Sequence, residues 1–404
     1  MPRRRPGSHV ASVMIVRQFL HWVRTAPAGP RAEATAALAR AYLYSDLSPD
    51  DRAAAEGAMI LLLDDPSPLV RQALADTLAA SEFAPPAVIH ALANDQPQVS
   101  AAVLEHSALL IDADLVEIVA TGEPEAQAAI ARRHGLQRSV AAAIAEVGSA
   151  EACLTLLENP EADLARFSLD RIVARFGTLV AIREAVLQRP DVPAATRQAL
   201  VDKLAEALAD FVSARGWLDA DRARRVAREA CEKAAVAVSA DAPGETRLLV
   251  RHLCEAGQLT VGLMLRSLLS GNAGLFAEAL SQLSGVPLPR VGAIVHDPGA
   301  AGFRALYDKA GLPPSVYPAF REALDALKTE RHGSLAEAGR LRRGLVERVL
   351  SGCERADVAE VEPLLMLLRR FATEAAREEA RLYCDELVAE DRIVLESDYD
   401  RIAA

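Results

Sequence analysis

Apolar residues in this chain recur at helical spacing, and the runs are opened by a recurring kind of polar turn. Val70, Leu74 and Leu78 stand at i, i+4 and i+8, and Met59, Leu62 and Leu63 mark the stripe before them. Such spacing predicts amphipathic helices with one buried face each. The turns pair an acidic residue or Asn with Pro: Asp65-Pro66-Ser67-Pro68, Asp95-Gln96-Pro97, Glu123-Pro124 and Asn159-Pro160. Pro suits the first helical position because the N–H it lacks would find no partner there. Ser48-Pro49-Asp50-Asp51 adds an N-cap hydroxyl and first-turn acid, and Ser67-Pro68 repeats the hydroxyl and the Pro. The turns begin at 65, 95, 123 and 159, that is 30, 28 and 36 residues apart, a period that marks stacked helical repeats. Ala-rich outer faces let neighbouring helices approach closely, and a lone helix pair would leave its second face bare, so stacking stabilises the array.

Further along, the pattern predicts helices over 138–147, 150–158, 162–176 and 179–189, broken by Gly148, Pro160 and Gly177. A longer helix over 194–215 ends at Gly216, a good left-handed C-cap, and Gly216-Trp217-Leu218-Asp219 reads as the first strong boundary. The next helix, 219–240, sets Arg222, Arg224, Arg225 and Arg228 among Asp219, Asp221 and Glu229. Mixed signs at three- and four-residue spacing describe a solvated face rather than a phosphate site. Short helices separated by Gly and Pro fill Pro243 to Leu327, where Val295-His296-Asp297-Pro298-Gly299 echoes the earlier turns. Arg340 to Ser351 and Leu364 to Val388 read as longer charged helices, with Asp391 to Ala404 a short helix or frayed tail. The expected organisation is an N-terminal arm and helix over 1–30, HEAT-like repeats over 31–216, a second repeat-like region over 217–330 and a helical cap over 331–404.

Composition agrees with an all-α chain. Hydrophobic residues make up 51% of the 404 but aromatics only 4%; Ala and Leu dominate, both strong helix formers, and no convincing period-2 run occurs. A net charge of -11 repels phosphate backbones and disfavours nucleic acid as a partner. Cysteines at 153, 231, 254, 353 and 384 lack CxxC or metal-ligand spacing, as reduced thiols in a cytoplasmic protein would. The start, Met1-Pro2-Arg3-Arg4-Arg5, leads into an apolar stretch interrupted by Arg17, Gln18 and His21, which reads as an arm and an amphipathic helix rather than a signal peptide. No segment offers the ~20 apolar residues that span a bilayer.

Several phrases resemble a family of uncharacterised bacterial proteins, a domain of unknown function. They are Leu92-Ala93-Asn94-Asp95 followed by Val99 and Leu104, Ile130-Ala131-Arg132-Arg133, Leu156-Leu157-Glu158-Asn159-Pro160, and, most specific, Ala305-Leu306-Tyr307-Asp308-Lys309-Ala310-Gly311-Leu312-Pro313-Pro314. The resemblance runs from Arg52 to Leu327 and implies an armadillo/HEAT-like helical-repeat solenoid, followed here by a C-terminal helical region. It carries over no catalytic residue. His134 departs from the family pattern, which favours a turn former there.

Candidate chemistry is sparse. The histidines show no HExxH or His-x3-to-5-His spacing, and neither GxxxxGK[ST] nor a strand-linked GxGxxG occurs, so no metal, cofactor or nucleotide is expected. His21 sits on the N-terminal helix where a phosphotransfer histidine could lie, but its neighbours fit an ordinary interfacial residue. His252 and Cys254 are two apart on one helix and face different ways, against a local dyad. Asp50-Asp51 and Asp64-Asp65 serve as caps and turns. Arg132, Arg133 and His134 are the best candidates for anion or partner binding, with Arg340, Arg342 and Arg343 next, although surface charge also explains both groups. The expected function is a non-enzymatic protein–protein interaction scaffold whose groove holds a protein or peptide. The alternatives are a HEAT-repeat enzyme or modifying factor with an unrecognised site, and nucleic-acid binding.

Overall fold

Helix-start and helix-stop chemistry places the helices expected over 138–147 and 150–158 where the sequence predicts them, while the one expected over 162–176 begins at Arg166. The computed structural model describes residues 21–23, 25–190, 192–296, 300–329, 340–355 and 362–402, with side chains described as far as Asp385. The first part of the N-terminal arm and the Asp297-Pro298-Gly299 turn lie outside the described residues. The fold is all-α, a helical-repeat array, and among the described residues there is no strand. The chain divides into two compact units, Met1–Asp191 and Val192–Ala404.

The first unit holds α1 (Ala28–Tyr44), α2 (Pro49–Leu62), α3 (Pro68–Leu78), α4 (Pro86–Ala93), α5 (Pro97–His106), α6 (Asp112–Thr121), α7 (Pro124–Ala131), α8 (Arg138–Val147), α9 (Ala150–Glu158), α10 (Arg166–Phe176) and α11 (Val180–Gln188). Each helix packs on the second one along: α1 on α3, α3 on α5, α5 on α7, α7 on α9 and α9 on α11 make one layer, while α6, α8 and α10 stack in the other. The stripe read from the sequence is the buried one, with Val70, Leu74 and Leu78 all at 0% exposure.

In three of the four turns the acidic residue or Asn ties successive repeats together. Asp65 takes two hydrogen bonds from the Arg31 guanidinium, at 3.0 and 2.8 Å, and a third from the Ser67 N–H. Asp95 does the same with Arg71 and the Gln96 N–H. Burial works to raise the Asp95 carboxyl, but the hydrogen bonds from Arg71 and Gln96 outweigh it and hold it below the usual range. Asn159 accepts from the Glu161 N–H and donates to the carbonyls of Ala131 and Arg133 at the end of α7. Arg175 and Arg189 reach back in the same way to the last carbonyls of α8 and α9, groups that no intrahelical donor can satisfy. Ser48 caps α2 through the Asp51 N–H at 3.2 Å. Ser67 makes no side-chain cap; its N–H donates to the Asp65 carboxylate.

The second unit holds α12 (Ala194–Ala214), α13 (Ala220–Asp241), α14 (Thr246–Glu255), α15 (Val261–Leu269), α16 (Ala273–Ser284), α17 (Leu288–His296), α18 (Ala300–Lys309), α19 (Tyr317–Thr329), α20 (Arg343–Arg355) and α21 (Glu362–Ile402). Gly216 does not divide the units: at φ +68° it closes α12 with the Trp217 N–H bonded to the Val212 carbonyl, a Schellman reversal that folds α13 back along α12. The division falls at 191/192 instead. The aromatic core of this unit stacks Phe276 on Phe320 at 5.4 Å and sets Tyr307 against Phe320 and Tyr317. Tyr307 donates its hydroxyl to the Pro313 carbonyl at 2.6 Å, and Gly311 turns between them at φ +70°. The Tyr307 to Pro314 phrase is thus a closed corner, each of its marked residues having a packing or turn role.

Two C-terminal elements differ from expectation. The helix expected from Arg340 begins at Arg343: the Arg342 N–H donates to the Leu269 carbonyl, and the Arg342 carbonyl accepts from the Val346 N–H to open the first turn. The tail expected at Asp391 is part of α21, which runs 41 residues to Ile402; no Gly or Pro occurs after Pro363 to stop it.

The thiols sort by environment. Burial pushes Cys153 and Cys353 up to about 11, and burial together with the Asp202 carboxylate pushes Cys231 up to about 12. Cys254 and Cys384 are exposed. Iodoacetamide at pH 8 labels Cys254 and Cys384 and leaves the other three unmodified in the native protein, as peptide mass mapping reads; labelling of Cys231 at a rate equal to theirs contradicts its placement.

Candidate functional site

The sequence-predicted trio in the first unit separates on folding. Arg133 turns inward and donates to the carbonyls of Leu104 and Ser107 at 2.6 and 2.7 Å, closing the end of α5, and burial lowers its pKa. Arg132 and His134 line a shallow hollow of about 450 Å³ together with Thr155, Glu158, Asn159 and Glu161. His134 Nδ1 lies 2.5 Å from the Glu161 carboxylate. Two glutamates in the lining make this a mixed-charge surface rather than an anion cradle.

The second unit carries a larger groove of about 720 Å³, where α13, α15 and α21 meet beside Arg340. Its floor is Arg266 on α15, with a side chain only 3% exposed. Arg266 makes a bidentate pair with Glu374 of α21 at 2.9 and 2.8 Å and lies 4.6 Å from the centre of the Phe371 ring. Burial works to raise the Glu374 carboxyl, but Arg266 and then Lys233 outweigh it and hold the group below the usual carboxylate range.

The arginines read as a solvated face of α13 are exposed, and two other charges of that helix pair with α21. Glu229 pairs with Arg370, and Lys233 reaches Glu374 and Glu378 at 3.6 and 2.9 Å. Arg340 stands 3.7 Å from Glu378. The other two arginines of that cluster go elsewhere: Arg343 pairs with Glu347 and Glu379, and Arg342 lies over Gly271, where a Cβ would come within 2.6 Å of its guanidinium. The groove lining holds seven cationic side chains and three glutamates, opposite in sign to the chain as a whole. Arg377 and Arg381, one turn apart on α21, line it without an ion pair among the described residues, and both are exposed. Met366 and Leu382 add exposed apolar surface at its two ends.

A neighbouring hollow of about 440 Å³ includes Cys231, Glu232 and Thr260. The Thr260 hydroxyl donates to Glu232 at 2.5 Å, and burial raises the Glu232 carboxyl. The thiol beside it stays protonated at neutral pH, so the pair supplies no activated nucleophile. His252, paired in sequence with Cys254, instead points its Nε2 to within 3.9 Å of Asp202. The main groove is equipped to bind carboxylates or other anions beside apolar side chains. Its arginines on α21 carry no sequence motif; the only available signal was their i, i+4 spacing on a helix with buried Leu364, Leu368, Phe371 and Ala375.

A family model described as an uncharacterised protein conserved in bacteria (DUF2336) matches residues 99–359, well over half of the chain. The match takes in Arg266 and Arg340 and stops before α21. No curated protein and no solved structure matches the chain. Among the described residues no helix is long and apolar enough to cross a membrane.

Proposed function

We propose that this chain, which belongs to the DUF2336 family of uncharacterised bacterial proteins, is a non-enzymatic interaction scaffold whose basic groove holds an acidic segment of a protein. The observation that carries the reading is the groove itself: a cluster of cations on an acidic chain, two of them without an ion pair among the described residues, flanked by exposed apolar side chains. Protein segments that alternate carboxylates with apolar residues match that lining. A nucleic-acid backbone matches it less well, because Glu229, Glu374 and Glu378 interrupt the positive surface. The five free thiols favour a reducing, cytoplasmic setting.

Affinity capture from native lysate, with nuclease present, tests the reading. The wild-type chain retains a protein at defined stoichiometry, and Arg377→Glu/Arg381→Glu loses it while keeping its helical circular dichroism. Capture that depends on nucleic acid, or that ignores both substitutions, removes the proposal.

A further inference from the structure

The segment that matches this groove lies on α21 itself. Beyond Leu382 the helix continues to Ile402, and residues 383–402 contain seven acidic residues against two arginines. Leu387 and Val394 are seven apart, as are Val388, Leu395 and Ile402, the repeat by which one helix lies along another. Among the described side chains the buried stripe of α21 ends at Ala375, and all those from Arg381 to Asp385 are exposed.

The distal half of α21 cannot reach the groove of its own chain. α21 is continuous, with no Gly or Pro after Pro363, and a straight helix does not fold back on the face it carries. A second copy has no such restriction. Groove residues Met366 to Leu382 cover about 25 Å of helix and residues 383–402 about 30 Å, at 1.5 Å per residue, so an antiparallel α21 from a second copy fits along the groove. The arrangement is self-complementary, since each copy offers both a groove and a segment, and one twofold contact fills two grooves. It sets Asp391 and Glu390 against Arg377 and Arg381, and brings the exposed Cys384 of the two copies near the twofold axis.

We propose that the chain forms a twofold homodimer in which the distal half of α21 from each copy occupies the basic groove of the other. This identifies the acidic segment and so rests on the groove reading above.

Sedimentation of the full chain over a range of concentrations tests it. The wild type is dimeric, and Arg377→Glu/Arg381→Glu raises its dissociation constant by about tenfold or more, as does Glu390→Arg/Asp391→Arg, because like charges then face each other. Combining all four substitutions in one chain restores the dimer, a rescue that misfolding does not produce. In a Cys254→Ser background a short bismaleimide links two chains through Cys384. A chain that is monomeric throughout, or a dimer indifferent to both charge reversals, overturns the proposal. If the chain is monomeric and Arg377→Glu/Arg381→Glu still abolishes capture from lysate, self-pairing fails and the groove reading stands; if neither assay responds, both fail.

Discussion

Replacing Glu374 with Ala destabilises the second unit by about 3 kcal/mol, the lower end of the range for breaking a buried ion pair. The cost comes from the partner left behind. Arg266 is 3% exposed, stacked under Phe371 and held by two hydrogen bonds to Glu374, so truncation strands a guanidinium away from water. Glu374 is itself 30% exposed, and water entering at that end keeps the loss from the upper limit. Native-state hydrogen exchange of the α15 peptide, which reads local opening free energy, measures it. Arg266→Met/Glu374→Leu recovers most of the loss, since an apolar pair of similar volume pays no desolvation; a double variant as unstable as Glu374→Ala contradicts the assignment. The pair also sets an acid limit. A carboxyl held below its ordinary value contributes stability that is complete above that value and disappears as pH falls through the lowered one. Glu232, pushed up by burial, tilts stability the opposite way, so the Glu374 contribution is read as the difference between wild type and Glu374→Gln. That difference shrinks on acidification, and a constant difference across the acid range contradicts the ionised pair.

Phe320→Ala costs about 3–5 kcal/mol, the usual range for removing a large aromatic from a packed core. Phe320 is fully buried, stacked on Phe276 at 5.4 Å and tilted against Tyr307 at 5.7 Å, and both neighbours are held by rigid helices that cannot collapse into the space. Exchange protection in α16 and α19 falls together. Phe83→Ala, at a side chain 77% exposed in the first unit, changes stability by about 0.5 kcal/mol or less. Equal effects at the two sites contradict the assigned core.

Local chemistry made much of the fold readable. Helices expected over 138–147 and 150–158 fall at Arg138–Val147 and Ala150–Glu158, because Gly148 and Ser149 end one helix and cap the next within the residues that signal them. The Tyr307 to Pro314 phrase, noticed only as a resemblance, is a hydrogen-bonded corner. Arg132, Arg133 and His134 show where local reading stops: three adjacent polar residues have one apparent character in sequence, yet Arg133 is consumed by the carbonyls of Leu104 and Ser107 while its neighbours stay on the surface.

By itself the sequence determined that the chain is a stack of short helices with a repeat near thirty residues, since caps, turn prolines and apolar spacing act within a few positions of one another. Only the tertiary structure decided which charges meet. Arg266 finds Glu374 across 108 residues and Lys233 finds Glu378 across 145. Helical periodicity states that a residue lies on a face and is silent on which distant helix covers that face, so Arg222, Arg224, Arg225 and Arg228 are exposed as read while Glu229 on the same helix pairs with Arg370 in the groove wall.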